Sequence, residues 1–121
     1  MEFRGVISRR TVYEVLQTTA LVLHTTRRVV FGLCLLETMA YATPVIVSDA
    51  KGNLEAVGVE YPLQASCEKC VIGEQGLNVI SDSATLERLG GHLRERFLAF
   101  FRPSAMLQTY VSLWEDLHNR K

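Results

Sequence analysis

Hydrophobic and polar positions alternate in blocks along the chain, and the spacing within each block predicts an element. Phe3 to Ile7 is short and β-prone and is closed by Ser8-Arg9-Arg10. Thr11 then offers a helix N-cap with Glu14 three residues on, the reciprocal capping-box spacing, and Val12, Val15 and Leu16 share one face. Ala20-Leu21-Val22-Leu23 is continuously apolar, as a strand covered on both faces is. After a loop from His24 to Val30, Leu33 to Ala42 carries Leu33, Leu36 and Ala40 at helical spacing. Thr43-Pro44 ends that helix, because proline pushes the preceding residue out of the helical region.

Val45-Ile46-Val47 is a second all-apolar strand with Pro44 at its mouth, where a missing N–H is tolerated. Asn53 to Val57 reads as a short helix capped by Asn53, Gly58 to Gly76 as an irregular loop, and Leu77 to Ile80 as a last short strand. Leu86, Leu89, Leu93, Phe97 and Phe100 then form the stripe of a long helix interrupted by Gly90-Gly91, with Pro103 as its break. A final helix from about Ser104 places Leu107, Tyr110, Val111, Trp114 and Leu117 on one side, a spacing that predicts burial. Strands alternating with helices at this spacing give an α/β fold with a short, open, mostly parallel sheet.

At 121 residues the chain has room for one domain. Lys+Arg and Asp+Glu balance at 13 each, so no basic field is available to hold a nucleic acid by counterion release. A hydrophobic share of 48% with 21% charged residues excludes disorder and disulfide-dense scaffolds. The longest apolar stretch, Val29 to Leu36, falls well short of the ~20 residues that cross a bilayer. The first residues lack a basic segment followed by an apolar core, so the expected compartment is cytoplasmic. Cys67 and Cys70 form a lone CxxC without a second pair, and His24, His92 and His118 are scattered, which argues against a zinc site. The pair reads as two reduced loop cysteines rather than a redox motif, because no strand-to-helix junction frames it.

In an open α/β sheet ligands bind beyond the carboxyl ends of the strands, so the loops after Leu23 and Val47 are where chemistry is expected. The first runs from His24 through Arg27 and Arg28 into Gly32, and the free N–H groups of Gly32, Leu33 and Cys34 would face an anion in the positive field of a helix terminus. Glu37 lies one turn further in, among apolar neighbours. It is either a carboxylate with partners that justify its desolvation or a residue on the solvent side of the helix. The second loop, Ser48-Asp49-Ala50-Lys51-Gly52-Asn53-Leu54-Glu55, supplies a tight turn and a lysine able to meet a phosphate. By itself it is also ordinary turn chemistry.

The run from Phe31-Gly32-Leu33 through Glu37-Thr38-Met39-Ala40 and Pro44-Val45-Ile46 to Gly52-Asn53-Leu54-Glu55 resembles the signature of retaining GT-B glycosyltransferases of group 1 (family 4). Residues 3 to 57 match closely and residues 77 to 118 in pattern. The resemblance implies a single partial domain over 1–121, corresponding to part of a Rossmann-like C-terminal lobe, with the sheet region over 1–82 and the closing helices over 83–121. It implies nucleotide-diphosphate-sugar binding, UDP- or GDP-linked, with no separate cofactor or metal. The implied binding residues are Thr26, Phe31, Gly32, Leu33, Cys34, Glu37, Lys51, Gly52 and Asn53. Gly32 and Leu33 correspond to the amides that hold the diphosphate, and Glu37 to the glutamate that accepts hydrogen bonds from the ribose.

Three positions depart from that pattern. Val29 stands eight residues before Glu37, where the family has a glutamate that meets the donor sugar. Ala42 stands where glycine is usual, and Ala50-Lys51 replaces part of a small-residue turn. The chain is therefore expected to be the donor-binding part of a hexosyltransferase, inactive in isolation and with no assigned catalytic residue. The alternative is a degenerate, non-catalytic module that binds another protein. Expected partners are a nucleotide sugar and either a polypeptide carrying the acceptor lobe or further copies of the chain, since an unpaired sheet edge invites association. Peripheral membrane contact is left open.

Overall fold

The computed structural model describes residues 1–66 and 71–120. Among them, six helices surround a three-stranded parallel sheet. In chain order the elements are α1 (Arg9–Thr18), β1 (Val22–His24), α2 (Leu33–Ala40), β2 (Val45–Ser48), α3 (Lys51–Val57), β3 (Gln64–Ala65), α4 (Ile72–Val79), α5 (Ser83–Phe100) and α6 (Pro103–Asn119). The strand order is β1-β2-β3, with Val22 opposite Val45 and Val47 opposite Gln64. This is the expected α/β, Rossmann-like arrangement.

The central strand β2 is buried along its whole length, and its alternation divides the core. Val45 and Val47 join Leu35 and Met39 of α2, Ala56 and Val57 of α3, and Leu89 and Leu93 of α5. Ile46 belongs to a second cluster, with Ala65 of β3, Ile72 and Val79 of α4, and Leu86 of α5. Tyr61 sits inside the larger cluster. Its hydroxyl donates to Val45 O at 2.7 Å and accepts from Val45 N at 3.3 Å. Burial of the phenol pushes its pKa up to about 12.

Helix α5 runs unbroken through Gly90 and Gly91, because Gly90 is where it meets the turn after α2. In that turn Ala42 adopts φ +55°, the left-handed conformation that favours glycine. Thr43 fixes the other side, its hydroxyl donating to Leu16 O at 2.9 Å. Arg96 of α5 reaches the end of α3, donating to Ala56 O at 2.8 Å and Glu55 O at 3.1 Å, where helix carbonyls lack internal donors.

Several expectations are corrected. Phe3 to Ile7 is not a strand: it pairs with nothing, and Phe3 is 89% exposed. Helix α1 is capped three residues before Thr11, by Ser8, whose Oγ accepts from Thr11 N at 3.2 Å; Glu14 instead pairs with Arg10. β1 is covered less fully than its continuous apolarity implied, since it is an edge strand and Leu23 is 53% exposed. Asn53 is not a cap but lies within α3, which starts at Lys51. The segment after Gly58 contains β3, and Leu77 to Ile80 falls at the end of helix α4 rather than in a strand. There Ile72 and Val79, seven residues apart, face the core, while Leu77 and Ile80 are exposed. Helix α6 exists, but its apolar side is not buried: no residue of it is, and Trp114 is 69% exposed. Cys67 and Cys70 lie outside the described residues. No helix among the described residues is long and apolar enough to cross a membrane.

Candidate functional site

At the carboxyl ends of β1 and β2, His24 lies opposite Val47, one residue before Ser48, and the loop from 25 to 32 leads from β1 to the start of α2. Two features of the next helix hold that loop. Gly52 lies directly under it: a Cβ there would be 2.4 Å from both Val29 O and Val30 O, so only glycine permits the approach. Asn53, fully buried, acts as a clasp. Its Nδ2 donates to Ser48 Oγ at 2.8 Å, to Ser48 O at 3.3 Å and to Thr26 Oγ1 at 3.3 Å. Ser48 Oγ in turn donates to Thr26 O.

The other end of the Asn53 amide is unspent. Its Oδ1 is buried and makes no hydrogen bond of full geometry among the described residues, though the amide acts on the nearby His24 ring. It lies 3.6 Å from where a Gly32 Cβ would stand, at the mouth of α2. A buried carbonyl oxygen left in this state costs about 1–3 kcal/mol, which makes it a natural place for a ligand's donor. Gly32 is the N-cap of α2 and brings no side chain to it, so the first amides of the helix, on Leu33 and Cys34, are uncapped.

Around this mouth the side chains form a connected set. The His24 ring approaches Thr26 Oγ1 through Nε2 at 3.2 Å, and Cys34 Sγ lies 3.7 Å from its Nδ1 and 3.9 Å from its Nε2. Its pKa is lowered from the ordinary value, chiefly by burial, and the Asn53 amide partly offsets this. Glu37, a turn into the helix, is half-buried, and the Tyr13 hydroxyl of α1 donates to its Oε1 at 3.5 Å. The carboxylate is therefore neither sealed in the core nor free in solvent.

Of the nine residues implied by the sequence, Thr26, Gly32, Cys34 and Asn53 meet at the mouth, with Glu37 one turn inside it. Leu33 contributes its backbone while its side chain is 71% exposed. Gly52 works from beneath, as a support. Phe31 is directed elsewhere: its ring lies 5.6 Å from that of Phe101 and packs on the main core. Lys51 stands apart with Arg27 and Arg28, the three lining an open depression with Val29, Val30 and Ala50. Sequence reasoning missed His24 and this pair of arginines. The signals were present, since His24 ends a strand at the carboxyl edge and Arg27-Arg28 follows in the same loop.

A model of the glycosyl transferases group 1 family matches residues 1–76, which contain β1, β2, the mouth of α2 and the Asn53 clasp. No curated protein and no solved structure matches the chain.

Proposed function

The chain belongs to the glycosyl transferases group 1 family, and on that premise we propose that it is the donor-binding part of a retaining hexosyltransferase that uses a UDP- or GDP-linked sugar. The observation that carries this reading is the uncapped mouth of α2 with the orphaned Asn53 oxygen beside it and Glu37 one turn within.

In this reading the diphosphate sits against the amides of Leu33 and Cys34, in the positive field of the helix terminus. As the bond between sugar and diphosphate breaks, negative charge accumulates on the leaving oxygen, and fixed amide dipoles stabilise it without reorganising. Glu37 accepts hydrogen bonds from the ribose hydroxyls, displacing or sharing the weak contact from Tyr13. The basic trio of Arg27 and Arg28 on the loop after β1 and Lys51 at the start of α3 adds positive charge around one depression. The acceptor attacks on the face the diphosphate leaves, and no covalent nucleophile is invoked. Val29 offers only a hydrocarbon side chain, so recognition of the donor sugar falls to other groups.

Calorimetry with UDP, GDP and their glucose and mannose conjugates tests this. Heat of binding with one of them, abolished by Glu37→Ala in a folded variant, is the expected result. Absence of heat with every one would overturn the reading.

Val29 and the open apolar side of α6 favour a second reading, a module that keeps the fold but has lost transfer and instead binds protein. The two diverge on Val29→Glu in a complex reconstituted with an acceptor lobe: raised transfer there supports the first reading, and no change supports the second.

A further inference from the structure

Helix α6 is the one helix among those described that buries none of its residues. Leu107, Tyr110, Trp114 and Leu117 recur along it at three- and four-residue steps, each 53% to 69% exposed, and form a single seam. Met106, Val111 and Leu113 flank that seam and are exposed as well. From Tyr110 to Leu117 these side chains line one shallow, almost wholly apolar depression. At this exposure the seam and its flanks present roughly 700 Å² to solvent, above the ~300–600 Å² of the largest apolar patch on a typical monomer and close to the ~800 Å² that each partner gives to a standard-size interface.

We propose that this face is a self-association surface, on which α6 of a second copy of the chain packs antiparallel to form a two-fold dimer. The seam is complementary to itself. Set antiparallel about Ser112, it brings Leu107 of each copy against Leu117 of the other, and Tyr110 against Trp114, so every layer of the contact is filled. The charges agree with that direction. From Pro103 to Asn119 the helix carries Glu115 and Asp116 and no Lys or Arg. Antiparallel packing sets these acids level with the uncharged Thr109 and Gln108 of the other copy and opposes the two helix dipoles, whereas parallel packing sets acid beside acid. A bilayer is a poorer occupant, because helices that lie on membranes carry Lys or Arg on the polar face and this one carries acids there.

Two heptads of seam make a modest contact, so the dissociation constant is expected in the micromolar range. None of these residues belongs to the mouth of α2, and self-association is therefore independent of donor binding.

Sedimentation velocity on the full chain from about 0.1 µM to about 200 µM, with Trp114 fluorescence read on the same samples, tests this. The expected result is a monomer whose mass doubles as concentration rises, with Trp114 emission moving to the blue and iodide quenching weakening in step. Substitutions on the seam leave the fold intact, because α6 gives no side chain to either core cluster. Leu107→Lys and Leu117→Glu are each expected to raise the dissociation constant about tenfold, since each buries an unpaired charge. The double variant is expected to recover most of that loss, because each outer layer then holds a cation against an anion. A chain that stays monomeric at the highest concentration, or a dimer in which Trp114 remains quenchable, overturns the proposal. Association that the single substitutions leave unchanged, a double variant no tighter than the singles, or growth past two copies also overturns it. Vesicles of phosphatidylcholine and phosphatidylserine that shift Trp114 emission while the chain alone stays monomeric would assign the face to a membrane instead.

Discussion

Gly90 of α5 lies against the carbonyl of Ala42: a Cβ on Gly90 would stand 2.0 Å from Ala42 O and 3.0 Å from Ala42 C. The contact explains why Gly90, which weakens helix propensity, occurs mid-helix, while Gly91 faces open space. It lets α5 seat on the turn that leads from α2 into β2, and so fixes the register of both around the central strand. Arg94, one turn on, donates to Ala40 O in the same region.

Opposite effects are expected at these two positions. Gly90→Ala forces helix and turn apart in a region with little room to yield, and costs about 3 kcal/mol. Ala42→Gly relieves the left-handed strain of φ +55° and gains about 1 kcal/mol. Urea unfolding of the two variants reads both, and a neutral Gly90→Ala would contradict the close approach.

Asn53 is a second point of leverage. Asn53→Ala removes the donor shared by Ser48 and Thr26 and releases the loop that carries Arg27, Arg28 and Gly32. A loss of about 2 kcal/mol is expected, because buried acceptors are left unpaired. Amide hydrogen exchange in residues 25–32 is expected to accelerate more than in α5. A uniform change across the chain would mean that Asn53 supports the whole fold rather than the loop.

His24 gives the site a pH dependence of defined sign. Its folded pKa lies below the ordinary 6.5, because burial disfavours the imidazolium. The unfolded chain therefore binds the proton more readily, so stability contributed by neutral His24 is complete above pH 6.5 and is lost as pH falls through the folded value. Denaturation midpoints measured from pH 8 down to pH 5 are expected to decline, and His24→Gln is expected to flatten that decline. A midpoint that rises on acidification would contradict it.

What the sequence disclosed follows from where the physics is local. β2 was legible because Val45-Ile46-Val47 is buried wholly within this chain, and α2 was legible as a helix although its buried face is Leu35, Thr38 and Met39 rather than the Leu33, Leu36 and Ala40 stripe. Leu77 to Ile80 misled because two glycines, Gly73 and Gly76, hid the helix in which those residues end; Gly76 faces Ile46 and Leu23 across a contact that a sequence pattern does not reveal. The helix mouth was legible from Gly32 and Glu37, as was the place of Asn53 near it. The inward direction of the Asn53 side chain was not, since a cap and a clasp have the same sequence. His24 joins the site only through parallel pairing with Val47, a relation between distant segments.

Helix α6 offers the last test, and its reporter is unambiguous because Trp114 is the only tryptophan. The ring is 69% exposed and stacks on His118 with centroids 5.7 Å apart, touching no core cluster. Its fluorescence in dilute solution is expected to have the emission maximum of a water-exposed indole and to be readily quenched by iodide. Trp114→Ala is expected to change stability by less than about 0.5 kcal/mol, as surface substitutions do. Both results follow from the same geometry, since a stripe with helical periodicity buries itself only when another element lies within reach. A blue-shifted maximum that resists quenching, or a loss of several kcal/mol in Trp114→Ala, would show that this side of α6 is covered and would remove the basis for treating it as open.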